Sequence, residues 1–138
     1  MQLYVFDTDH LSLYGRANPS LIIRLTESQT QLTTTVINLE EQLRGRLAQV
    51  AEIKEGENQS IVYQLLTDTI LMLSEFDILQ YDSKAREIYQ YLKAQRIRVG
   101  TQDLRIASIV IAHNGILLTR NRRDFEKIPN LMIEDWTV

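Results

Sequence analysis

The sequence contains no cysteine and only two histidines among its 138 residues. Without cysteine, neither a disulfide framework nor a thiolate metal site can form. His10 and His113 alone are too few for a histidine-rich zinc site. No apolar run approaches the ~20 residues needed to cross a bilayer. The first residues, MQLYVFDTDH, lack the charged start of a secretory signal. We therefore expect a protein of the reducing cytoplasm that makes no membrane contact.

The length and composition favour one domain, which we expect to span residues 1–138. The chain is 44% hydrophobic and 24% charged, as in soluble globular proteins. Its charge is unevenly distributed. Residues 1–83 contain 5 Lys or Arg and 12 Asp or Glu, whereas residues 84–138 contain 10 and 6. This asymmetry is compatible with an acidic metal site rimmed by phosphate-binding arginines, and equally with ordinary surface charge.

Short apolar or β-branched runs alternate with longer helical patterns along the chain. This alternation predicts an α/β protein, a three-layer α/β/α sandwich with a central, largely parallel sheet of four or five strands. Strands are predicted at 3–6, 32–35, 76–79, 116–119 and 131–133. Helices are predicted at 10–14, 19–28, 59–73, 83–95 and 101–112, with one more long helix that begins at Asn38.

The long helix shows capping-box spacing, because Glu41 follows Asn38 by three positions. A purely structural role for Glu41 is therefore one interpretation, and a metal ligand just after a strand is the other. Gly45 inside the helix is unfavourable by about 1 kcal/mol relative to alanine, which predicts a close packing contact at that position. The predicted buried stripe consists of Leu39, Leu43, Leu47 and Val50.

The stretch from Gly100 to Phe125 is the most informative part of the chain. A nearly all-apolar helix begins close to Asp103 and ends at Asn114-Gly115, a pair suited to a helix C-terminus. A short buried strand then leads into a polar, basic cluster. Because ligands of open α/β sheets bind beside the carboxyl ends of strands, this stretch predicts part of an active site.

Acidic residues recur at equivalent places in this architecture. Asp7 follows the first strand, Glu41 lies near the start of the helix after the second, and Asp103 starts the buried helix. Clustered carboxylates repel one another and are costly to desolvate unless a cation compensates them. An all-oxygen set suits Mg²⁺ or Mn²⁺ better than zinc. Asn121 adds a neutral oxygen ligand, and arginines on the same loop, Arg120, Arg122 and Arg123, could hold phosphates.

A purely structural role remains open for two residues, Asp7 and His10, when each is considered alone. Asp7 alone would more often be a turn or capping acid, because Asp is a favoured residue before helices. His10 lies about one helical turn beyond Asp7 and is more often a packing or hydrogen-bonding residue than a metal ligand.

Four segments together resemble the PIN domain, and more narrowly the VapC-type toxins of prokaryotic toxin–antitoxin pairs. The resemblance covers residues 3 to about 136. It rests on DTDHLS from Asp7, NLEEQLRG from Asn38, DLRIA from Asp103 and TRNRRDF from Thr119, in the order and spacing of the family.

The resemblance implies a parallel sheet flanked by helices and a Mg²⁺-dependent endoribonuclease, with Mn²⁺ as a possible substitute. It also implies a homodimer and a cognate antitoxin. By residue-to-residue carry-over, Asp7, Glu41 and Asp103 would be the catalytic metal ligands, and Thr119 would contact the ligands or a substrate phosphate. Glu41 rather than Glu40 is implied, because it lies four residues before Gly45 as in the family motif.

One position departs from the pattern of many relatives. Asn121 stands where they carry a fourth acid, so a second ion would bind more weakly, and Asp124 could compensate. This departure leaves open a catalytically weak PIN module that binds RNA or a protein partner. A phosphate-accepting signalling domain is a third hypothesis, but no suitably placed phosphoacceptor aspartate and late lysine are present. The RNA target is expected to depend on groove shape and on basic loops that include Arg96 and Arg98.

Overall fold

The computed structural model describes residues 2–138, so only residue 1 of the predicted domain lies outside the described residues. Five short strands form one sheet in the order β3-β2-β1-β4-β5. Every neighbouring pair is parallel, which confirms the predicted sheet and fixes its strand number at five. The strands are β1 Tyr4–Phe6, β2 Thr33–Thr35, β3 Asp77–Leu79, β4 Ile116–Leu118 and β5 Met132–Glu134.

Seven helices connect and cover these strands within residues 2–138. Local signals place several of their ends. Pro19 occupies the first turn of α2, and the Asp82 side chain caps α5 by accepting the Ala85 N–H at 3.0 Å. The helices are α1 Thr8–Gly15, α2 Pro19–Ser28, α3 Val36–Glu52, α4 Gln59–Leu73, α5 Ser83–Ala94, α6 Thr101–Ala112 and α7 Arg122–Phe125.

Successive residues of β1 point to opposite faces of the sheet, and both faces are covered. Val5 packs with Ile109 and other residues of α5 and α6, whereas Phe6 packs with Leu11, Leu73 and Phe76 on the other side. Val5 and Phe6 are both inaccessible to solvent. These two cores confirm the three-layer α/β/α sandwich. None of the helices formed by residues 2–138 is long and apolar enough to cross a membrane.

Helix α3 differs from the sequence prediction in its start and in its buried face. It begins at Val36 and is capped by Thr35, whose hydroxyl accepts the Asn38 N–H at 3.1 Å. The prediction that Asn38 caps the helix was therefore wrong. Asn38 and Gln42 are buried instead, while Leu47 of the predicted stripe is 55% exposed. The buried polar face is possible because both side chains hydrogen-bond to α1.

The close packing predicted around Gly45 is absent from the described structure. A Cβ atom built at this position meets no heavy atom within 4 Å. Because the site is open and helical, we expect Gly45→Ala to raise the free energy of unfolding by about 1 kcal/mol. Urea denaturation of the two proteins would measure the difference. A less stable Gly45→Ala protein would contradict the open environment seen here.

The sheet order places three chain segments at one edge. β1 lies at the centre, with β2 on one side and β4 on the other. The chain leaves β1 at Asp7, whose backbone N–H is held by the Leu118 carbonyl at the end of β4 (3.0 Å). Thr34 of β2 adds a hydrogen bond from its hydroxyl to the Phe6 carbonyl at 2.7 Å. Loops that diverge from a central strand leave a crevice, where α/β proteins bind ligands.

Candidate active site

One pocket at the carboxyl edge of the sheet contains all four residues predicted to hold a metal. Its volume is about 230 Å³. Its acidic members come from three different elements: Asp7 and Asp9 from β1–α1, Glu41 from α3 and Asp103 from α6. The remaining lining residues are Thr8, Asn38, Ile106, Asn121 and Phe125. The structure therefore brings together residues that are up to about a hundred positions apart in sequence.

Asp7 serves as the N-cap of α1. Its Oδ1 accepts the His10 backbone N–H at 2.9 Å, and its side chain is nearly buried. The capping interpretation is thus correct, and it does not compete with a role in the pocket. A capping oxygen satisfies the helix, and the second oxygen of the same carboxylate is left for the pocket that Asp7 lines.

Glu41 and Glu40 have different environments. Glu41 is half-buried in the pocket, and its Oε1 accepts a 2.6 Å hydrogen bond from the Thr8 hydroxyl. Glu40 is exposed outside the pocket, where it pairs with Arg44 and accepts from Gln102 at 2.9 Å. The geometry therefore favours Glu41 as the pocket acid.

Asp103 shows the electrostatic consequence of this arrangement. Burial, and after it the negative charges of Glu41, Asp124 and Asp7, together raise its pKa from 3.8 to about 6. Burial disfavours the charged carboxylate, and nearby like charges disfavour it again. A cation in the pocket would remove both penalties. A carboxyl group with a strongly raised pKa in a cleft is a physical indicator of a functional site.

Asn121 and Asp124 form a hydrogen-bonded pair at the start of α7. The Asn121 amide nitrogen donates to Asp124 Oδ2 at 3.2 Å, and its Oδ1 caps α7 through the Asp124 N–H at 3.4 Å. Asn121 lines the pocket, and the charge of Asp124 still reaches Asp103. Asp124 therefore contributes negative charge near Asp103, while Asn121 contributes part of the pocket wall.

Thr119 lies beneath the pocket rather than on its surface. It is inaccessible to solvent, and its hydroxyl accepts the Asn121 N–H at 2.9 Å. In this conformation Thr119 positions the Asn121 loop and cannot touch a substrate phosphate. The predicted direct contact is not shown by the structure.

The three predicted phosphate-binding arginines lie beside the pocket without lining it. Arg120, Arg122 and Arg123 are exposed, and the Arg122 guanidinium lies 3.9 Å from Glu126. Arg120 is close enough to Asp135 to help lower the pKa of that carboxyl. Their contact with substrate stays a prediction.

A hydrogen-bond network that the sequence did not reveal supports the acidic side chains. Asn38 donates to the Thr8 hydroxyl at 3.1 Å, and that hydroxyl donates to Glu41. Gln42 joins α3 to α1 through the Thr8 carbonyl at 2.9 Å and the Ser12 hydroxyl at 2.8 Å. The only sequence signal was two polar residues, Asn38 and Gln42, on one side of an amphipathic helix.

A second depression continues from the acidic pocket along α1 and α3. It shares Thr8 and Glu41 with the pocket and has a volume of about 210 Å³. Two arginines line it, Arg16 of the α1 end and Arg46 of α3. Arg46 is held by the Thr69 hydroxyl at 2.8 Å. Positive charge at this position complements a polyanion that enters the acidic pocket.

The donor set fits a hard divalent cation in chemistry, because every polar group offered to the pocket is an oxygen or a neutral amide. Among residues 2–138, no three histidine, aspartate or glutamate side chains are arranged to hold an ion directly. Mg²⁺ commonly keeps several waters and takes only one or two carboxylates. The pocket has room for such waters, since each occupies about 30 Å³ in the liquid. The residues present therefore fit a hydrated ion.

The sequence pattern of the family described as the PIN domain matches residues 4–131. The chain belongs to the PIN domain family. Ribonuclease VapC1 of Haemophilus influenzae strain R2866 is 27% identical to this PIN domain over 141 aligned positions, with 98% of each chain covered. Ribonuclease VapC2 of Rickettsia felis is 36% identical over 70 residues, which cover 48% of this chain and 52% of that protein.

Solved structures agree with the family assignment. The DNA-bound VapBC complex from Salmonella typhimurium contains a chain that superposes on this PIN domain with a TM-score of 0.79. The two chains are 25% identical, and the superposition covers 99% of each. VapBC2 from Rickettsia felis, bound to a promoter DNA fragment, gives a TM-score of 0.76 at 25% identity. The predicted PIN fold and the resemblance to VapC proteins are both confirmed.

Proposed function

We propose that this PIN domain is a Mg²⁺-dependent endoribonuclease that hydrolyses RNA phosphodiester bonds. The observation that carries the proposal is the convergence of Asp7, Glu41 and Asp103 on one pocket, where burial and the neighbouring negative charges raise the Asp103 pKa. Relatives named ribonucleases, one of them aligned over 98% of this chain, support RNA as the substrate.

The residues that would hold the hydrated cation, in part through its water molecules, are Asp7, Glu41, Asp103 and Asn121. When bound, Mg²⁺ or Mn²⁺ supplies Lewis-acid stabilisation of the phosphate and lowers the pKa of water.

The chain itself fixes the orientation of the acids. Asn38 holds the Thr8 hydroxyl, which holds Glu41, and α1 holds Asp7 through its cap. Ile106 and Phe125 form the apolar part of the wall. Arg16 and Arg46 in the adjoining depression would bind the phosphates that flank the cleaved bond.

A protein partner follows from the same comparison. Neighbouring structures are VapBC toxin–antitoxin complexes, so we propose that this PIN domain is the toxin of such a pair. An apolar groove of about 610 Å³ on α3, lined by Leu39, Leu43 and Leu47 among others, supports a surface for an antitoxin segment. The homodimer stays a prediction of the family resemblance, and the cytoplasmic location stays a prediction from the composition of the chain.

The experiment is cleavage of total cellular RNA by the purified protein with Mg²⁺, with Mn²⁺ and with EDTA. We expect fragments with either metal, none with EDTA, and recovery when excess Mg²⁺ follows EDTA. Cleavage that persists in EDTA would contradict the metal dependence. Absence of both cleavage and metal binding would favour the alternative, a PIN module that only binds RNA or a protein partner.

A further inference from the structure

His10 is a fully buried histidine whose neighbours connect the acidic pocket to the C-terminal segment. It is inaccessible to solvent, and its Nδ1 lies 3.3 Å from Asp7 Oδ1. Its Nε2 accepts the Trp136 backbone N–H at 3.2 Å and lies 3.7 Å from Asp135 Oδ1. The metal-ligand set proposed above does not include His10.

The contact with Trp136 determines the tautomer of the ring. Nε2 must carry the lone pair, because it accepts an N–H donor. The proton of the neutral ring therefore sits on Nδ1, the nitrogen that faces Asp7. This Nδ1 is the one buried side-chain polar atom in residues 2–138 that makes no hydrogen bond, although Asp7 Oδ1 is within 3.3 Å.

A buried N–H without an acceptor is rare in proteins and calls for an explanation. Asp7 supplies one, because its Oδ1 already accepts the His10 backbone N–H at 2.9 Å and lies next to the ring. A small rotation of the carboxylate would align Oδ1 with the Nδ1–H. The backbone N–H and the ring Nδ1–H of His10 would then both donate to Asp7 Oδ1, which leaves the other Asp7 oxygen for the pocket.

We propose that His10 is a positioning residue that fixes the Asp7 carboxylate for metal binding through its Nδ1–H. The inference rests on the proposed function, because Asp7 is a proposed ligand. Hydrogen-bonding partners of metal ligands contribute about 10- to 100-fold to metal affinity. The structure places His10 Nδ1 3.3 Å from Asp7 Oδ1, which is within reach of such a hydrogen bond.

The other side of the ring ties the site to the end of the chain. Trp136 is 2% exposed, its ring centroid lies 4.6 Å from that of Tyr4, and its indole N–H donates to Glu134 at 2.9 Å. Asp135 is held in turn by the backbone N–H and hydroxyl of Thr137. The segment after β5 is thus a fixed support that sets the plane of the His10 ring.

Two substitutions separate the roles of the two ring nitrogens. In His10→Asn the side-chain amide can replace Nδ1–H and still donate to Asp7, but it cannot reach Trp136. In His10→Gln the amide oxygen can replace Nε2 and accept from Trp136, but the donor to Asp7 is lost. The probe is Mn²⁺ alone, titrated into each protein and followed by electron paramagnetic resonance, with thermal unfolding measured in parallel.

The positioning role predicts about 10-fold or greater loss of Mn²⁺ affinity in His10→Gln, and a smaller loss in His10→Asn. If His10 serves only the fold, His10→Asn should unfold at a lower temperature than His10→Gln, because it loses the contact with Trp136. The two variants should then bind Mn²⁺ with equal affinity. Equal affinities in the two variants and the wild type would overturn the role of His10 only. A wild-type protein that binds no Mn²⁺ would overturn the metal site and the role of His10 together.

Nitrogen NMR of the wild-type protein tests the same inference without a substitution. The two histidines of the chain give separate signals, and His113, whose Nδ1 lies 2.9 Å from the Ile109 carbonyl, serves as the internal control. We expect His10 to be the Nδ1–H tautomer, with a signal that shifts on addition of Mg²⁺ while that of His113 does not. The Nε2–H tautomer at His10 would overturn the proposal.

Discussion

Asp103→Asn is expected to abolish RNA cleavage and at the same time to stabilise the fold. The loss of cleavage should reach at least about 100-fold, because Asp103 would hold the cation that stabilises transition-state charge, and loss of one such stabilising group costs about that much. The gain in stability has a separate cause. Burial and the charges of Glu41, Asp124 and Asp7 raise the Asp103 pKa from 3.8 to about 6, so the ionised carboxylate is unfavourable in the folded state.

The pH dependence follows from the sign of this shift. A carboxyl whose pKa is raised on folding lowers stability progressively as pH rises from its unfolded pKa to its folded pKa. The gain in unfolding free energy from Asn at position 103 is therefore complete above about pH 7. It declines as pH falls from 6 to 3.8 and is absent below 3.8. Each pKa unit corresponds to about 1.4 kcal/mol. Solvent screening of this half-buried group reduces the expected gain to about 1 kcal/mol.

Urea denaturation in EDTA at pH 8 and at pH 4 would measure this effect. Glu40→Gln is the matched control, because Glu40 neighbours Glu41 in sequence yet is exposed and paired with Arg44. We expect no stabilisation and no loss of cleavage in the control. An Asp103→Asn protein that is no more stable than wild type at pH 8 would show that the acids do not repel as the structure implies.

Asp7→Asn is the second substitution with a large expected effect. Cleavage should fall at least about 100-fold, because a charged ligand becomes neutral. Stability should change little, since Asn is as good an N-cap as Asp and can still accept the His10 N–H. The effects on cleavage and on stability are separable, because Asp7 uses only one carboxylate oxygen to cap α1.

Asp7→Ala provides the comparison. It removes the cap as well as the charge, so we expect an additional loss of about 1 kcal/mol in unfolding free energy. Cleavage assays and urea denaturation of both variants would test the division of roles. Unchanged cleavage in Asp7→Asn would remove Asp7 from the site, whereas equal stability of the two variants would remove its capping role.

The fold was predictable where local chemistry decides structure. Pro19 and Asp82 mark helix starts because a fixed φ and a side-chain cap act within one turn. Buried strands such as β4 show as short apolar runs between turn residues. The convergence of Asp7, Glu41 and Asp103 was also predicted, because in a parallel sheet the loops and helix starts after the strands meet at one edge. Only the family resemblance selected Glu41 over Glu40.

The rest of the site depends on contacts between distant residues, which one sequence does not display. Asn38 reaches Thr8 across 30 positions, and His10 reaches Trp136 across 126. Without those partners, His10 was indistinguishable from an ordinary core histidine.

Helix periodicity also misplaced one face of α3. An apolar stripe has the same spacing whether it meets the core or an exterior groove. Leu43 and Leu47 line such a groove, while the core side of α3 holds Asn38 and Gln42. Leu39 and Leu43 are partly buried against the Phe6 core, as predicted, whereas Leu47 is 55% exposed, so the predicted burial was wrong at Leu47.

Calorimetric titration of Mg²⁺ into the metal-free protein tests the central claim most directly. The wild type and Glu40→Gln should bind Mg²⁺ alike, and Asp103→Asn should bind at least about 10-fold more weakly. RNA cleavage by the same samples should follow the fraction of protein with metal bound. Equal Mg²⁺ binding by wild type and Asp103→Asn would contradict the account, because the ion would then lie outside the pocket that Asp7, Glu41 and Asp103 share.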